Sequence, residues 1–216
     1  MLDNVVGDGG IIFDMDDKPL IHVDSRQRAM TSPAFVASAA LGILVIAAIV
    51  EHAMGRVFFC KCGHVRFWGA MNSPELSQQL ADWYSFSHII HGMALYGLLH
   101  LVSRGKWSVG KCFLLMMAIE ASWEMLENSP IIINRYRHST MSLDYYGDSI
   151  LNSMSDILFA ALGFGLATYL PVWVVVAMIV LMEVGVGYAI RDNLTLNIIM
   201  LIHPFQAIKH WQMGAR

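Results

Sequence analysis

The chain holds 216 residues, 56% of them hydrophobic and only 14% charged, with a net charge of −3 and a mean hydropathy of +0.52. An average soluble domain carries about a quarter charged residues, so this composition points to a membrane protein and gives no case for nucleic acid. Three cysteines, an odd number, do not suggest a disulfide framework.

Residues 1–32 are polar, with Gly7, Gly9, Gly10 and the acidic group Asp14, Asp16 and Asp17. They read as an extra-membrane arm, because the acids lack the spacing of a calcium loop. A polar, acidic start in place of a basic stretch and short apolar core predicts no cleavable signal peptide. Residues 33–216 read as a single transmembrane domain. Pro33 to about Val50 is almost purely apolar and forms the first span, closed by Glu51 and His52.

Residues 51–84 are amphiphilic and aromatic, with Phe58, Phe59, Phe67, Trp68, Trp83 and Tyr84, which suits a segment at headgroup level. Ser73-Pro74-Glu75 looks like a helix start. Cys60, Cys62 and His64 form a Cys-x-Cys-x-His cluster that could hold zinc or copper. A tight turn at Gly63 is the alternative.

The second span is 85–103 and carries His88, His91 and His100. His88 and His91 share a face. Arg104, Lys106 and Lys111 make a short basic loop. The third span, 109–127, carries Glu120, Glu124 and Glu127, four and three residues apart and so on one helix face. A loop over 128–147 holds Asn128, Arg135, Tyr136, Arg137 and Asp144. The fourth span is 148–170, where Asp148, Asn152 and Asp156 share a face and Gly163 and Gly165 permit close helix approach. The fifth is 171–190, ended by Arg191. The tail over 194–211 is too short to span and is broken by Pro204, so it reads as an interfacial or re-entrant helix, with a sixth span as the alternative.

The expected fold is therefore all-α, a polytopic integral membrane helix bundle of about five transmembrane helices plus a C-terminal interfacial or re-entrant helix. With five spans, the 51–84 segment, the 128–147 loop and the tail lie on one side. His88, His91, Glu124, Glu127, Arg135, Asp144, Asp148, Asn152 and Arg191 then gather at one membrane face. The basic loop at 104–111 favours the cytoplasm, which turns that face toward the periplasm. A charge inside a span survives only toward a protein interior or a wet cavity, so these residues are site candidates. Candidate catalytic groups are His88, Glu120, Glu124, Asp148 and Asp156. Candidate binding groups are His91, Glu127, Asn128, Arg135, Tyr136, Asp144, Asn152 and Arg191. Arg135 is the expected counter-charge, suited to a phosphate or carboxylate headgroup.

The runs CKCG, SQQLADWYSFSHIIHG, EASWEMLENSPIIINRYR, DYYGDSILNSMSD, LPVW and IRDNLTLNIIMLIHP resemble a family of bacterial inner-membrane proteins with no assigned activity. The resemblance covers about residues 51–212 and implies a multi-pass protein of the inner (plasma) membrane. The chain is also similar to the VanZ-like family at His88, Glu124, Arg135, Asp148 and Asn152. It departs from that pattern in its long Arg135–Asp148 loop and its extra acids. The Asp148/Asp156 pair is similar to that of lipoprotein signal peptidase, without the motif around it.

Three readings follow. One is an enzyme working on a lipid or lipid-linked substrate, with clustered carboxylates as acid and base and, with His88 and His91, a divalent metal ion. The second is a proton or ion transporter. The third is a structural or accessory protein, such as a subunit of a larger membrane complex, whose charges are buried pairs.

Overall fold

The computed structural model describes residues 32–71, 73–139 and 145–214. The expected N-terminal arm and Asp144 therefore lie outside the described residues, apart from Ser32. Eight helices and no strand occur among them: α1 (Pro33–Ala53), α2 (Ser85–Ser103), α3 (Val109–Glu127), α4 (Pro130–Ser139), α5 (Ile150–Tyr169), α6 (Val172–Ile190), α7 (Leu194–Ile202) and α8 (Gln206–Met213).

α1, α2, α5 and α6 are long and apolar enough to cross a membrane. α3 has a similar length but carries Lys111, Glu120, Glu124 and Glu127. On α1 only Ala47 and Glu51 are buried, and on α6 only Val186 and Ile190. Leu41, Ile46, Ile49, Leu181, Val184 and Tyr188 point outward. Apolar faces this large and this exposed suit helices set against lipid or another apolar surface.

α2, α3 and α5 form the centre. Met93, Tyr96, Met116, Met117, Ile157, Ala160 and Phe164 fill it, with Ala47 of α1 closing one side. The tightest seam is α2 on α5. A Cβ on Gly92 would overlap the carbonyl of Ala160, and one on Gly163 would overlap that of Ile89. Gly165, expected to serve the same purpose, faces open space.

Two sequence expectations need correction. Ser73-Pro74-Glu75 does not start a helix. The Ser73 hydroxyl does accept from the Glu75 amide at 3.2 Å. The chain then turns through i+3 bonds, and Ser77 swings to φ +57° with its amide bonded to Asp82. The 128–147 stretch is not simply a loop, since Pro130–Ser139 is helical. Ser129 with Pro130 at the first position starts it, and the Ile133 amide bonds to the Ser129 carbonyl at 3.0 Å. The tail is two short helices broken around Pro204, as its length and its proline predicted.

Candidate functional site: a buried histidine–carboxylate cluster

Three segments meet at one end of the bundle. Ser149, Ile150 and Leu151 donate their amides to the carbonyls of Ser77, Val57 and Phe58, at 3.0, 2.8 and 3.1 Å. Asn152 Nδ2 donates to the Gln79 carbonyl at 2.9 Å. The 54–84 segment is thereby stitched to the start of α5. Tyr84 donates its hydroxyl to Asp192 at 3.0 Å, and Gln212 Nε2 donates to the other Asp192 oxygen at 3.1 Å. The tail is tied to the same end.

The centre of the cluster is His88 on α2. Its Nδ1 lies 2.6 Å from Glu120 Oε1 and 3.3 Å from Glu124 Oε1, and its Nε2 lies 3.8 Å from Asp156 Oδ2. His91, one turn on, reaches the same Glu120 oxygen at 3.0 Å. Ser85 donates to Asp156 Oδ1 at 2.9 Å. Helical periodicity explains the grouping: residues three and four apart on α2 and α3 project toward one line. His88, Glu120, Glu124 and Asp156 are all buried, and neither Glu124 oxygen accepts a hydrogen bond of ordinary geometry. Among the described residues no lysine or arginine pairs with these acids. A buried carboxylate without a counter-charge is costly, so the cluster has to hold protons or a cation. Two triads are close enough for a metal, His88–Glu124–Asp156 and His88–His91–Glu120, with ligand atoms within 4.8 Å of one another.

Asp148 forms an adjoining cluster. Its Oδ1 accepts from Tyr145 at 2.8 Å and its Oδ2 from Asn128 Nδ2 at 3.1 Å, while its amide donates to Asn128 Oδ1 at 2.7 Å. Asn128 also donates to Ser153 and to the Glu124 carbonyl, which joins the two clusters. Burial, and next the Glu127 charge, lift the Asp148 pKa from 3.8 to about 7. Asp192 is raised to about 6, first by burial. Burial also raises Asp82, whose oxygens accept from the amides of Ser77 and Tyr84. Gly147, at φ +95°, lets the chain pass between Arg56 and Asn128 where a Cβ would collide with both.

Two cavities border the cluster. The larger, about 350 Å³, lies between α2, α3 and α7. Ala94, Leu95, Ile119, Leu194 and Ile198 form its apolar wall, and His88, His91, Glu120 and Glu127 its polar end. A smaller one of about 40 Å³ is lined by Tyr84, His88, Tyr136, Asp148 and Asp156.

A family model described as "Protein of unknown function (DUF2585)" matches residues 51–214. The chain belongs to this family. It is 52% identical over 178 residues to a UPF0314 protein of Rhizobium meliloti (strain 1021), covering 82% of this chain and 89% of the relative. It is 49% identical over 185 residues to a UPF0314 protein of Novosphingobium aromaticivorans, covering 82% and 91%. A UPF0314 protein of Paracoccus denitrificans (strain Pd 1222) is 47% identical over 171 residues, covering 79% and 88%. No solved structure matches the chain. The DUF2585 region takes in every cluster residue above and leaves out nearly all of α1.

Within this DUF2585 region the structure brings His88, His91, Glu120, Glu124 and Asp156 together, with Asn128, Asp148 and Asn152 beside them. Glu127 and Tyr136 bond to each other at 2.8 Å, and Tyr136 also bonds to Asn197 at 3.0 Å. Arg135 is a correction. Its guanidinium caps α7, donating to the carbonyls of Leu201 and Ile202 at 2.9 and 3.1 Å, and it pairs with none of the cluster acids. Arg191 likewise holds the tail, donating to the Trp211 carbonyl at 3.0 Å. Cys60 and Cys62 are joined in a disulfide, contrary to the expectation from the cysteine count. In that state neither offers a thiolate to a metal, and His64 bonds to Glu75 at 3.0 Å, although Cys62, His64 and Glu75 present ligand atoms within 4.8 Å of one another.

Sequence reasoning did not single out Glu51, Asp82 or Asp192 as site residues, yet all three are buried at this end. Each sits at a helix boundary, where charge is ordinary. Only the folding of the 54–84 segment and the tail over the bundle encloses them.

Proposed function

We propose that the protein takes an amphiphilic molecule, a lipid or lipid-linked substrate, from the bilayer of the bacterial inner membrane. The single observation supporting this is the two-sided lining of the larger cavity, apolar along α2, α3 and α7 and ionisable at His88, His91, Glu120 and Glu127. A pocket with a greasy wall and a few convergent polar groups suits a ligand with a tail and a headgroup. A divalent cation at His88, Glu124 and Asp156 completes the reading. Imidazole and carboxylate together suit first-row divalent metals, and neither Glu124 oxygen accepts a hydrogen bond, His88 Nδ1 lying 3.3 Å away. The burial of Glu124, and of His88 between acids from two helices, also supports a structural alternative, in which the pairs fix helix register.

Native mass spectrometry of the protein released from its own membranes tests the reading. One amphiphile and one divalent metal ion are expected per chain. Leu95→Trp, which fills the apolar wall, should release the amphiphile and keep the metal. Glu124→Gln should release the metal. A wild-type protein that carries neither species, with Glu124→Gln lowering its melting temperature, would overturn the reading in favour of the structural alternative.

A further inference from the structure

A third cavity, of about 270 Å³, opens on the far side of Asp148, lined by Gly55, Arg56, Val57, Lys61, Arg137, Tyr146 and Asp148. Three of these seven residues are cationic. No carboxylate pairs with Arg56, Lys61 or Arg137 among the described residues. Both arginines are held by the strand of chain that forms the cavity wall. Arg56 Nη1 donates to the Tyr146 carbonyl and Arg137 Nε to the Tyr145 carbonyl. Arg56 Nε is buried without a partner. Lys61 Nζ lies over the Tyr146 ring, 5.8 Å from its centroid. The one acid on the wall, Asp148, already accepts from Tyr145 and Asn128, and its raised pKa leaves it less than fully charged at neutral pH.

Two guanidiniums fixed by backbone carbonyls and one ammonium, converging on a space where Asp148 is the one lining acid among the described residues, make an anion site. Planar forks suit phosphoryl oxygens, which they meet two at a time. The position fits as well. Gly55–Lys61 directly follow the end of α1, and Arg137 lies near the end of α4, at the end of the bundle where the polar cluster opens. Asp148 lines both this cavity and the small one that reaches His88.

We propose that Arg56, Lys61 and Arg137 bind the phosphoryl group of an anionic ligand. The proposal deepens the reading above by naming the headgroup chemistry, and the anion site itself stands whether or not the larger cavity takes a tail. The same phosphoryl chemistry can come from a lipid headgroup or from a free phosphate.

The test titrates detergent-solubilised full-length protein with dihexanoyl phosphatidic acid and, separately, with inorganic phosphate. Lys61→Gln and Arg137→Gln remove the two solvent-facing cations with little risk to the fold, and Arg137→Lys keeps the charge while losing the fork. Saturable binding is expected in wild type, weakened about tenfold or more by each glutamine variant and partly kept by Arg137→Lys. Phosphatidic acid binding well ahead of phosphate assigns the site to a lipid headgroup. Equal affinities assign it to free phosphate. Absent binding, or binding that neither glutamine variant weakens, overturns the proposal. Leu95→Trp separates the two readings. It should release the amphiphile and leave inorganic phosphate binding unchanged, whereas a wild-type protein that binds phosphate and co-purifies no amphiphile sinks the amphiphile reading alone. A co-purified amphiphile with no response to either phosphoryl probe sinks this one alone.

Discussion

The surroundings of Asp148 strongly constrain its charge. It keeps its proton up to about pH 7 in the folded protein against 3.8 for a free side chain. The native state therefore holds a proton that the unfolded chain has already lost over that interval. Stability from this group is fullest below about 3.8, falls as pH rises toward 7, and stays reduced above it. Asp148→Asn keeps a neutral acceptor and donor for Asn128 and Tyr145 and removes the titration. Its melting temperature should match wild type near pH 4 and exceed it by several degrees near pH 8. A difference that does not change with pH would show that the carboxyl is not held neutral. The acidic faces of α3 and α5 were legible because 3.6-residue periodicity alone puts Glu120 beside Glu124, and Asp148 near Asn152 and Asp156. The arginines were not. Arg135 and Arg137 differ by two positions, about 200° around a helix. Which of them faces the cluster depends on how α4 lies, and nothing local in the sequence states that. Arg135 turned to the carbonyls at the end of α7, and Arg137 to the cavity beside Asp148.

α2 and α5 carry His88 and Asp156, so their spacing sets the cluster. Gly92 and Gly163 bring the two backbones into contact at reciprocal positions. Gly163→Ala would drive a methyl into the Ile89 carbonyl, which sits one residue from His88. Overpacking of this kind typically costs about 1–3 kcal/mol, and here neither backbone can yield without moving the other. A lowered melting temperature and loss of any bound metal are expected for Gly163→Ala. Gly165→Ala, which faces open space, serves as the neutral comparison. Equal behaviour of the two variants would show that the seam does not position the cluster. The long helices were legible to within about three residues from apolar length alone, because a membrane span needs little else. The short ones were not. The same Ser-Pro signal occurs at Ser73 and at Ser129, but only the second begins a helix. After Ser73 the chain must turn back to lay Gln78 and Gln79 over the start of α5, and those buried bonds override the local start signal.

For the molecule as a whole, the decisive question is how α3 runs. Among the described residues it is the one long helix that composition leaves outside the apolar set. Its acids explain that without excluding a crossing, since Glu120 and Glu124 are buried against α2 and α5 rather than turned outward. Geometry adds the other half. α2 begins beside Asp156 and Asp192, through Ser85 and Tyr84, and ends at Ser103. α3 starts six residues later, at Val109, and ends at Glu127, next to Asn128 and its bond to Asp148. At about 1.5 Å per residue, its 19 residues cover nearly the thickness of a hydrocarbon core. If α2 crosses, α3 has to return, and five crossings follow with residues 54–84, 128–149 and 191–214 on one side. Single cysteines in the full chain test this, in a background where Cys60, Cys62 and Cys112 are replaced. Phe67→Cys and Phe205→Cys, both at exposed positions, should react with an impermeant maleimide from the same side of the membrane, and Lys106→Cys from the other. The basic residues Arg104, Lys106 and Lys111 predict that Lys106→Cys is the cytoplasmic one, labelled only after the cells are permeabilised. Reaction of all three with reversed sides would keep five crossings and turn the cluster toward the cytoplasm. Phe67→Cys and Phe205→Cys on opposite sides would remove a crossing, and with it the single face on which the cluster, its two neighbouring cavities and the basic cavity are read together.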